Sequence, residues 1–362
     1  MNRANRTNRV ILIMAGGTGG HIMPGLAVAD LLRTAGWDVF WLGVRGGMEE
    51  RLVPARGFQT TWIRARAFRG KGFLAKLLLP VNLIFAFLES ALAIFRLRPD
   101  VVLGMGGYVA FPGGVMAFLL ARPLVLHEQN AIPGLSNRLL ARFADKLMVG
   151  FPGVLRNSEW TGNPVNVTIG KIPSPDVRLR GRHGPLNLLV LGGSLGAAAL
   201  NEVLPIALAY IPQSERPRVV HQAGVQHIEA LRQGYAAAGV EGELVPFIDD
   251  MASRYAAADL VVCRAGAMTI AELCAAGLAS VLVPFPFAVD DHQSANARFL
   301  SVRGAAILLP QKDLTAGGLA QLLRTIDRET IFKMARAARS LGKPDAARTV
   351  ASQCMALAGM GA

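Results

Sequence analysis

The sequence predicts an α/β protein of two doubly wound halves, each a parallel sheet between layers of helices. Three observations predict it. The apolar run Val10-Ile11-Leu12-Ile13-Met14 leads into Gly16-Gly17-Thr18-Gly19-Gly20, and Leu188-Leu189-Val190-Leu191 leads into Gly192-Gly193-Ser194-Leu195-Gly196 in the same way. Short continuous apolar runs suit strands buried on both faces. Glycine after such a strand lets the backbone turn sharply into a helix whose first N–H groups face an anion. Third, strand and helix patterns alternate on both sides of a stretch rich in Gly, Pro, Asn and Ser, about residues 160–184. One glycine turn serves packing as readily as a ligand; two suggest Rossmann-like domains facing one another across a central cleft.

The elements follow in order. Strands are expected at Trp37–Leu42, Phe58–Ile63, Val101–Leu103, Pro123–Leu126 and Lys146–Val149 after the first, with helical patterns at Pro24–Ala35, Met48–Arg56, Phe73–Arg96, Pro112–Ala121 and Gly134–Phe143. Gly36 is a plausible helix stop. After the linker candidate, with Gly162-Asn163-Pro164 and Pro173-Ser174-Pro175, strands resume at Leu188–Leu191, Val219–His221, Glu243–Val245, Leu260–Cys263, Ser280–Val283 and Ala306–Leu309. The stretch Glu329–Leu357 reads as two helices broken at Gly342-Lys343-Pro344. Strands separated by helical patterns mean βαβ units and parallel sheets.

Composition narrows the function classes. The chain has 362 residues, room for two ordinary domains, and 52% hydrophobic content argues against disorder. Its charge of +13 is uneven: residues 1–150 hold 18 Lys or Arg against 8 Asp or Glu, and the remainder 20 against 17. A basic half attracts nucleic acid, an anionic membrane surface or a phosphorylated substrate. Nucleic acid ranks lowest, because no binding module or aromatic-interleaved basic run is present. Cys263, Cys274 and Cys354 have no metal-ligand spacing, so buried thiols are expected. No cofactor is expected. The basic residues 1–9 precede an apolar run too short for a signal sequence, and a cytoplasmic location is expected.

The segment Phe73–Phe95 is very apolar but is interrupted by Pro80, Asn82, Glu89 and Ser90. A bilayer span of about 20 residues fits it poorly. Two readings stay open: a buried crossover helix, or a helix with an exposed apolar patch flanked by Arg64, Arg66, Arg69, Lys71, Lys76, Arg96 and Arg98. The second is what a peripheral protein presents to anionic lipid.

Several constellations carry chemistry. His21 directly follows the first glycine turn, where a neutral imidazole could take a proton from a hydroxyl. Gly104-Met105-Gly106-Gly107-Tyr108 and His127-Glu128-Gln129-Asn130 each close a strand, and consecutive polar residues there either face a wet cleft or cap the next helix. In the second half, Arg264-Ala265-Gly266-Ala267-Met268-Thr269-Ile270-Ala271-Glu272 opens a helix with small residues, leaving N–H groups for phosphate and a carboxylate for the two hydroxyls of a ribose. The Gln293 amide could bind a sugar. No Asp-x-Asp pair exists, so a metal-held diphosphate is not favoured and helix dipoles would stabilise the leaving group. Together these imply a nucleotide-sugar enzyme with donor in the second half and acceptor in the first.

In order and spacing, the motifs Gly16–His21, Gly106-Gly107-Tyr108, His127–Asn130, Gly162-Asn163-Pro164-Val165, Gly192-Gly193-Ser194, Phe247-Ile248-Asp249-Asp250-Met251, Cys263–Ala267 with Glu272, and Asp291 with Gln293 and Asn296-Ala297 resemble the MurG family. That family moves N-acetylglucosamine onto lipid I to give lipid II in peptidoglycan synthesis. The resemblance implies a GT-B fold and inverting transfer from UDP-N-acetylglucosamine to the 4-hydroxyl of the muramoyl unit. It implies donor contacts from Thr18, Gly19, Gly20, Asn130, Ser194, Ile248, Ala267, Met268, Thr269, Ile270, Ala271, Glu272 and Gln293, with Glu272 on the ribose and Ser194 on the diphosphate. His21 would be the leading general base and Glu128 the second candidate, while Gly106, Gly107 and Tyr108 form the acceptor loop. It also implies that a C-terminal helix, about residues 345–362, returns to an acceptor domain of residues 1–163, leaving 164–344 for the donor. The apolar segment would be its membrane-facing patch, on the cytoplasmic face of the inner membrane.

Two departures stand out. The family has Arg after Gly-Asn-Pro-Val, whereas this chain has Asn166, which can still hydrogen-bond to the donor. The second glycine loop continues with Ala110-Phe111-Pro112 instead of Ser-Gly-Pro. Rival readings are another GT-B enzyme, such as a diacylglycerol galactosyltransferase or a nucleotide-sugar epimerase, and a UDP-sugar-binding membrane scaffold without catalysis.

Overall fold

The computed structural model describes residues 8–64, 79–193 and 196–360. It divides into two units, Met1–Asn166 with Asp345–Ala362, and Val167–Pro344.

Unit 1 is built on a parallel sheet of seven strands in the order β3-β2-β1-β4-β5-β6-β7. They are β1 Val10–Met14, β2 Asp38–Gly43, β3 Gln59–Trp62, β4 Val101–Gly104, β5 Leu124–Glu128, β6 Lys146–Val149 and β7 Glu159–Trp160. The central β1 shows why a continuous apolar run was needed. Ile11 and Ile13 pack in the cluster with Leu26 and Leu32 of helix Gly19–Thr34, while Leu12 and Met14 pack in the other cluster with Ala93 and Ile94 of helix Leu79–Leu97. Alternate side chains point to opposite faces, so a strand covered on both sides has no polar position to spare. The final helix, Ala346–Met360, adds Val350, Ala351, Cys354 and Ala358 to the first cluster, and Arg9 ties its Ala358 carbonyl at 3.1 Å.

The chain winds outward from β1 to β3, then returns to β4 and continues the other way. The strand order therefore reverses between β1 and β4, and the loops after them lie at the carboxyl ends of adjacent strands, where open α/β sheets bind ligands. These two loops also touch. Gly107 adopts φ +82°, and a Cβ there would collide with the Gly16 carbonyl, so only glycine lets the loops cross.

Unit 2 repeats the plan with six parallel strands, β10-β9-β8-β11-β12-β13. They are β8 Asn187–Leu191, β9 Arg218–Gln222, β10 Glu243–Val245, β11 Leu260–Cys263, β12 Ala279–Leu282 and β13 Ala306–Leu308. Its core joins Leu188, Val190, Leu260 and Val262 to Leu200, Leu204 and Leu208 of helix Ala198–Ala209. The switch point falls between β8 and β11, and the loops after these strands are the second glycine turn and residues 264–266.

The boundary between the units falls inside the stretch expected to be a linker, after Asn166, and the part from Val167 onward is fastened to unit 2. It carries the short helices Val167–Gly170 and Pro175–Arg178. Arg178 donates to the Ala258 and Gly277 carbonyls at 2.7 Å each, and Arg182 donates to the Ala256 and Ala257 carbonyls at 2.8 Å and to buried Asp259 at 2.7 Å. These carbonyls end helices Met251–Ala257 and Ala267–Ala276, where a cation satisfies the orphan acceptors.

Helix Leu79–Leu97 is long and apolar enough to cross a bilayer by length and composition, yet it belongs to the core on one side. Ala86, Ser90, Ala93 and Ile94 are buried, whereas Val81, Ile84, Phe85, Leu88, Leu92 and Phe95 are exposed. The buried-crossover and exposed-patch readings are both realised, one on each face.

Candidate functional site

In unit 1, Thr18 is the extended N-cap of helix Gly19–Thr34, with no side-chain cap and no acidic residue in the first turn. Gly19 and Gly20 thus open the helix with no side-chain cap on its first N–H groups. Half-buried His21 follows. Gly106, at φ +96°, leaves room for the imidazole, because a Cβ there would stand 2.9 Å from His21 Nδ1. Tyr108 leans over Gly17, and burial together with the nearby Glu49 carboxylate raises its phenol above the usual range.

His21 Nδ1 lies 2.9 Å from Gln129 Oε1. Gln129 Nε2 donates to the His127 carbonyl at 3.0 Å and lies 3.1 Å from His127 Nδ1. His127 Nε2 lies 2.8 Å from the Gly162 carbonyl oxygen. His127 and Gln129 are both buried, and burial lowers the His127 imidazole to about 4.

Glu128 is buried with both oxygens engaged. Oε1 accepts from the Asn130 N–H at 2.9 Å, and Oε2 accepts from the Gly134 N–H and from Asn137 Nδ2 at 3.0 Å each. It holds half-buried Asn130 and the start of helix Leu135–Leu140 in place. Glu49, a residue the sequence reading passed over, does the same for the first glycine turn. Fully buried, it accepts from the Gly17 and Val44 N–H groups at 3.2 Å each. Its only sequence signal was an acidic residue opening a helix, which also describes an ordinary surface position.

In unit 2, helix Ala267–Ala276 starts at extended Gly266 without a side-chain cap or a first-turn acid. Ala267 and Ile270 are buried and pack inward, while Met268, Thr269 and Ala271 are half-buried. Glu272, half-buried, accepts from the Tyr255 hydroxyl at 2.9 Å, and desolvation pushes its carboxyl up to about 7. Gln293 Oε1 accepts from the Ala265 N–H at 3.2 Å and the Phe285 N–H at 2.9 Å, which fixes the amide and leaves its NH2 without a partner among the described residues. Asn296 Nδ2 donates to the Ala265 carbonyl at 3.1 Å, so this peptide is gripped from both sides. Ile248 is buried in the loop after β10, and Gln222 Nε2 holds the Gly193 carbonyl at 3.0 Å. Arg264 is tied to the Val283 and Pro284 carbonyls and stacks over Phe285. Ser194 lies outside the described residues.

Unit 1 thus brings together Thr18, Gly19, Gly20, His21, Gly106, Gly107, Tyr108, Glu128 and Asn130 at the carboxyl ends of β1, β4 and β5. Unit 2 gathers Ala267–Glu272, Gln293 and Ile248 at the ends of its own strands. Asn166 is exposed, at the end of the first stretch of unit 1.

Two doubly wound units of this kind, with a glycine turn after the first strand of each, define a GT-B glycosyltransferase. The glycosyltransferase family 28 N-terminal domain matches residues 11–149, and the family 28 C-terminal domain matches residues 187–350. A UDP-N-acetylglucosamine–N-acetylmuramyl-(pentapeptide) pyrophosphoryl-undecaprenol N-acetylglucosamine transferase of Cupriavidus metallidurans is 59% identical over 98% of this chain and 99% of its own. The protein of the same name from Aromatoleum aromaticum is 59% identical over 97% and 98%. Among solved structures, MurG of Acinetobacter baumannii superimposes with a TM-score of 0.84 at 39% identity, covering 96% of this chain and 99% of that one. The chain belongs to the MurG family.

Proposed function

We propose that this chain transfers N-acetylglucosamine from UDP-N-acetylglucosamine to the 4-hydroxyl of the muramoyl unit of lipid I, the undecaprenyl-diphosphate-linked muramoyl-pentapeptide, giving lipid II and UDP. The observation that carries the reading is near full-length identity to transferases bearing that name, up to 59%. The site chemistry supports it. The Glu272 carboxylate keeps one oxygen for the ribose hydroxyls while Tyr255 occupies the other, and the Gln293 NH2 is a donor for sugar oxygens. The uncapped start of helix Ala267–Ala276 and the turn at Gly192-Gly193 offer N–H groups and a positive dipole end to the diphosphate.

In the transfer the acceptor oxygen forms a bond to the anomeric carbon as the bond from that carbon to the diphosphate oxygen breaks, with inversion. UDP departs with the electron pair, and His21 Nε2 takes the hydroxyl proton. Glu128 does not serve as base in this scheme, because its oxygens hold backbone and Asn137 N–H groups.

A lipid-linked acceptor calls for a membrane surface, and helix Leu79–Leu97 supports one. Ile84, Leu88 and Phe95 are 58%, 61% and 64% exposed, and Phe118, Leu119, Leu135 and Phe143 are exposed on the next two helices and the turn that follows them. Arg64 lies over the Phe85 ring and Arg98 over the Phe95 ring, and Arg96 follows Phe95 in the chain. An apolar face ringed by cations suits a peripheral protein on anionic lipid, here the cytoplasmic face of the bacterial inner membrane. The test is transfer of labelled N-acetylglucosamine from its UDP donor onto a lipid I analogue, with lipid II and UDP expected in equal amounts. Folded protein that makes neither overturns the reading.

A further inference from the structure

The chain of contacts from His21 to Gly162 has only one consistent arrangement of hydrogens. A carbonyl oxygen only accepts, so the contact with the Gly162 carbonyl places a hydrogen on His127 Nε2. His127 is held neutral by burial, so its Nδ1 is a bare acceptor. Gln129 Nε2 directs its two hydrogens to His127 Nδ1, a bare acceptor that needs a donor, and to the His127 carbonyl, which also accepts from Asn137 Nδ2 at 3.2 Å and would repel an amide oxygen in that place. Its amide is thereby oriented, Oε1 faces His21, and the hydrogen between them belongs to His21 Nδ1.

We propose that Gln129 and His127 are positioning residues that lock His21 in the Nδ1–H form, leaving a bare Nε2 lone pair to receive the acceptor's proton. The tautomer of a histidine is set by the bond its other nitrogen makes. An unconstrained neutral imidazole favours the hydrogen on Nε2, the form that cannot act as base through that atom. The proposal rests on the reading of His21 as base for its catalytic meaning, but the tautomer itself is a property of the free protein. Asn163 Nδ2 braces the chain by donating to the Gln129 carbonyl at 3.0 Å, so the Gly162-Asn163 segment holds both His127 and Gln129.

The test is a long-range proton–nitrogen correlation spectrum of the 15N-histidine-labelled full chain at about pH 8, with His21→Ala assigning the signal among the six histidines. We expect His21 with hydrogen on Nδ1 and bare Nε2; hydrogen on Nε2 in the wild-type protein overturns the proposal, whatever any variant does. In Gln129→Met the His21 signal moves toward the Nε2–H form. There kcat falls on the order of tenfold, a fraction of the ~10²–10⁴ that general-base work contributes, while the donor KM stays within about twofold. A Gln129→Met protein that keeps the Nδ1–H form and wild-type kcat also overturns it. If His21→Ala keeps full turnover while the wild-type spectrum shows Nδ1–H, the lock stands and the base reading falls.

Discussion

The Tyr255 hydroxyl donates to Glu272 Oε2 at 2.9 Å, joining a fully buried phenol to a carboxyl that desolvation holds near 7. The tyrosine bond favours the ionised carboxylate and burial disfavours it, and burial wins. A ribose diol needs the ionised form if both hydroxyls are to donate. The carboxyl is protonated below about 7 and ionised above it, so donor affinity is expected to rise with pH through this region. The donor KM should fall from pH 6 to pH 8, and Glu272→Gln should flatten that dependence. In Tyr255→Phe the ionised form loses its bond, so the transition should move to higher pH. A donor KM equally pH-dependent in Glu272→Gln would locate the titration elsewhere.

His21→Ala tests the base. General-base catalysis contributes about 10²–10⁴-fold, so kcat should fall by that order while donor binding, measured directly by titration with UDP-N-acetylglucosamine, changes little. Turnover within a few-fold of wild type would mean that another group or water accepts the proton.

His127 and His221 are both fully buried and neutral, one in each unit, and burial lowers them to about 4 and about 3. The sign follows from linkage. An unfolded histidine binds a proton below about 6.5, whereas the folded one does not until far lower pH, so the unfolded state gains protons first and stability falls as pH drops. Each unit should lose about 1.4 kcal/mol per pH unit between about pH 6.5 and 4 from its own histidine. Urea midpoints at pH 7, 6 and 5 check this. In His221→Gln the unit 2 slope should shrink even if its absolute stability is lower, because Asn201 and Tyr235 lose a partner bonded at 3.0 and 3.2 Å.

The strands were legible because parallel strands covered on both faces leave no room for polar side chains, as Ile11 to Met14 show by serving two core clusters at once. The two-residue edge strand Glu159–Trp160 carries too little pattern to be read. The Gly- and Pro-rich stretch after it does contain the boundary between the units, but the anchoring of its second part was hidden, because Arg178 and Arg182 grip carbonyls more than seventy positions away. At the site, residue types and loop positions were visible in Gly16–His21 and Ala267–Glu272. Polarity was not. That Glu128 is filled by backbone N–H groups and that the Gln293 oxygen is occupied are facts of partners, which spacing does not encode.

The apolar face of helix Leu79–Leu97 gives the last prediction. Val81, Ile84, Phe85, Leu88, Leu92 and Phe95 recur at intervals of three and four, so they share one side of the helix, while Ala86, Ser90 and Ala93 anchor the other. Serine at Ile84, Leu88 and Phe95 together should therefore leave the fold intact. Fully burying one such side chain is worth about 1.5–3 kcal/mol, so even partial insertion of three makes their loss worth more than tenfold in partitioning. Binding to vesicles containing phosphatidylglycerol should drop by at least that factor, and wild-type binding should weaken with added salt as the arginines are screened. Turnover of a water-soluble acceptor analogue should be unchanged, while turnover of vesicle-borne acceptor falls. Unchanged vesicle binding by the folded triple variant would show that this face does not meet the membrane.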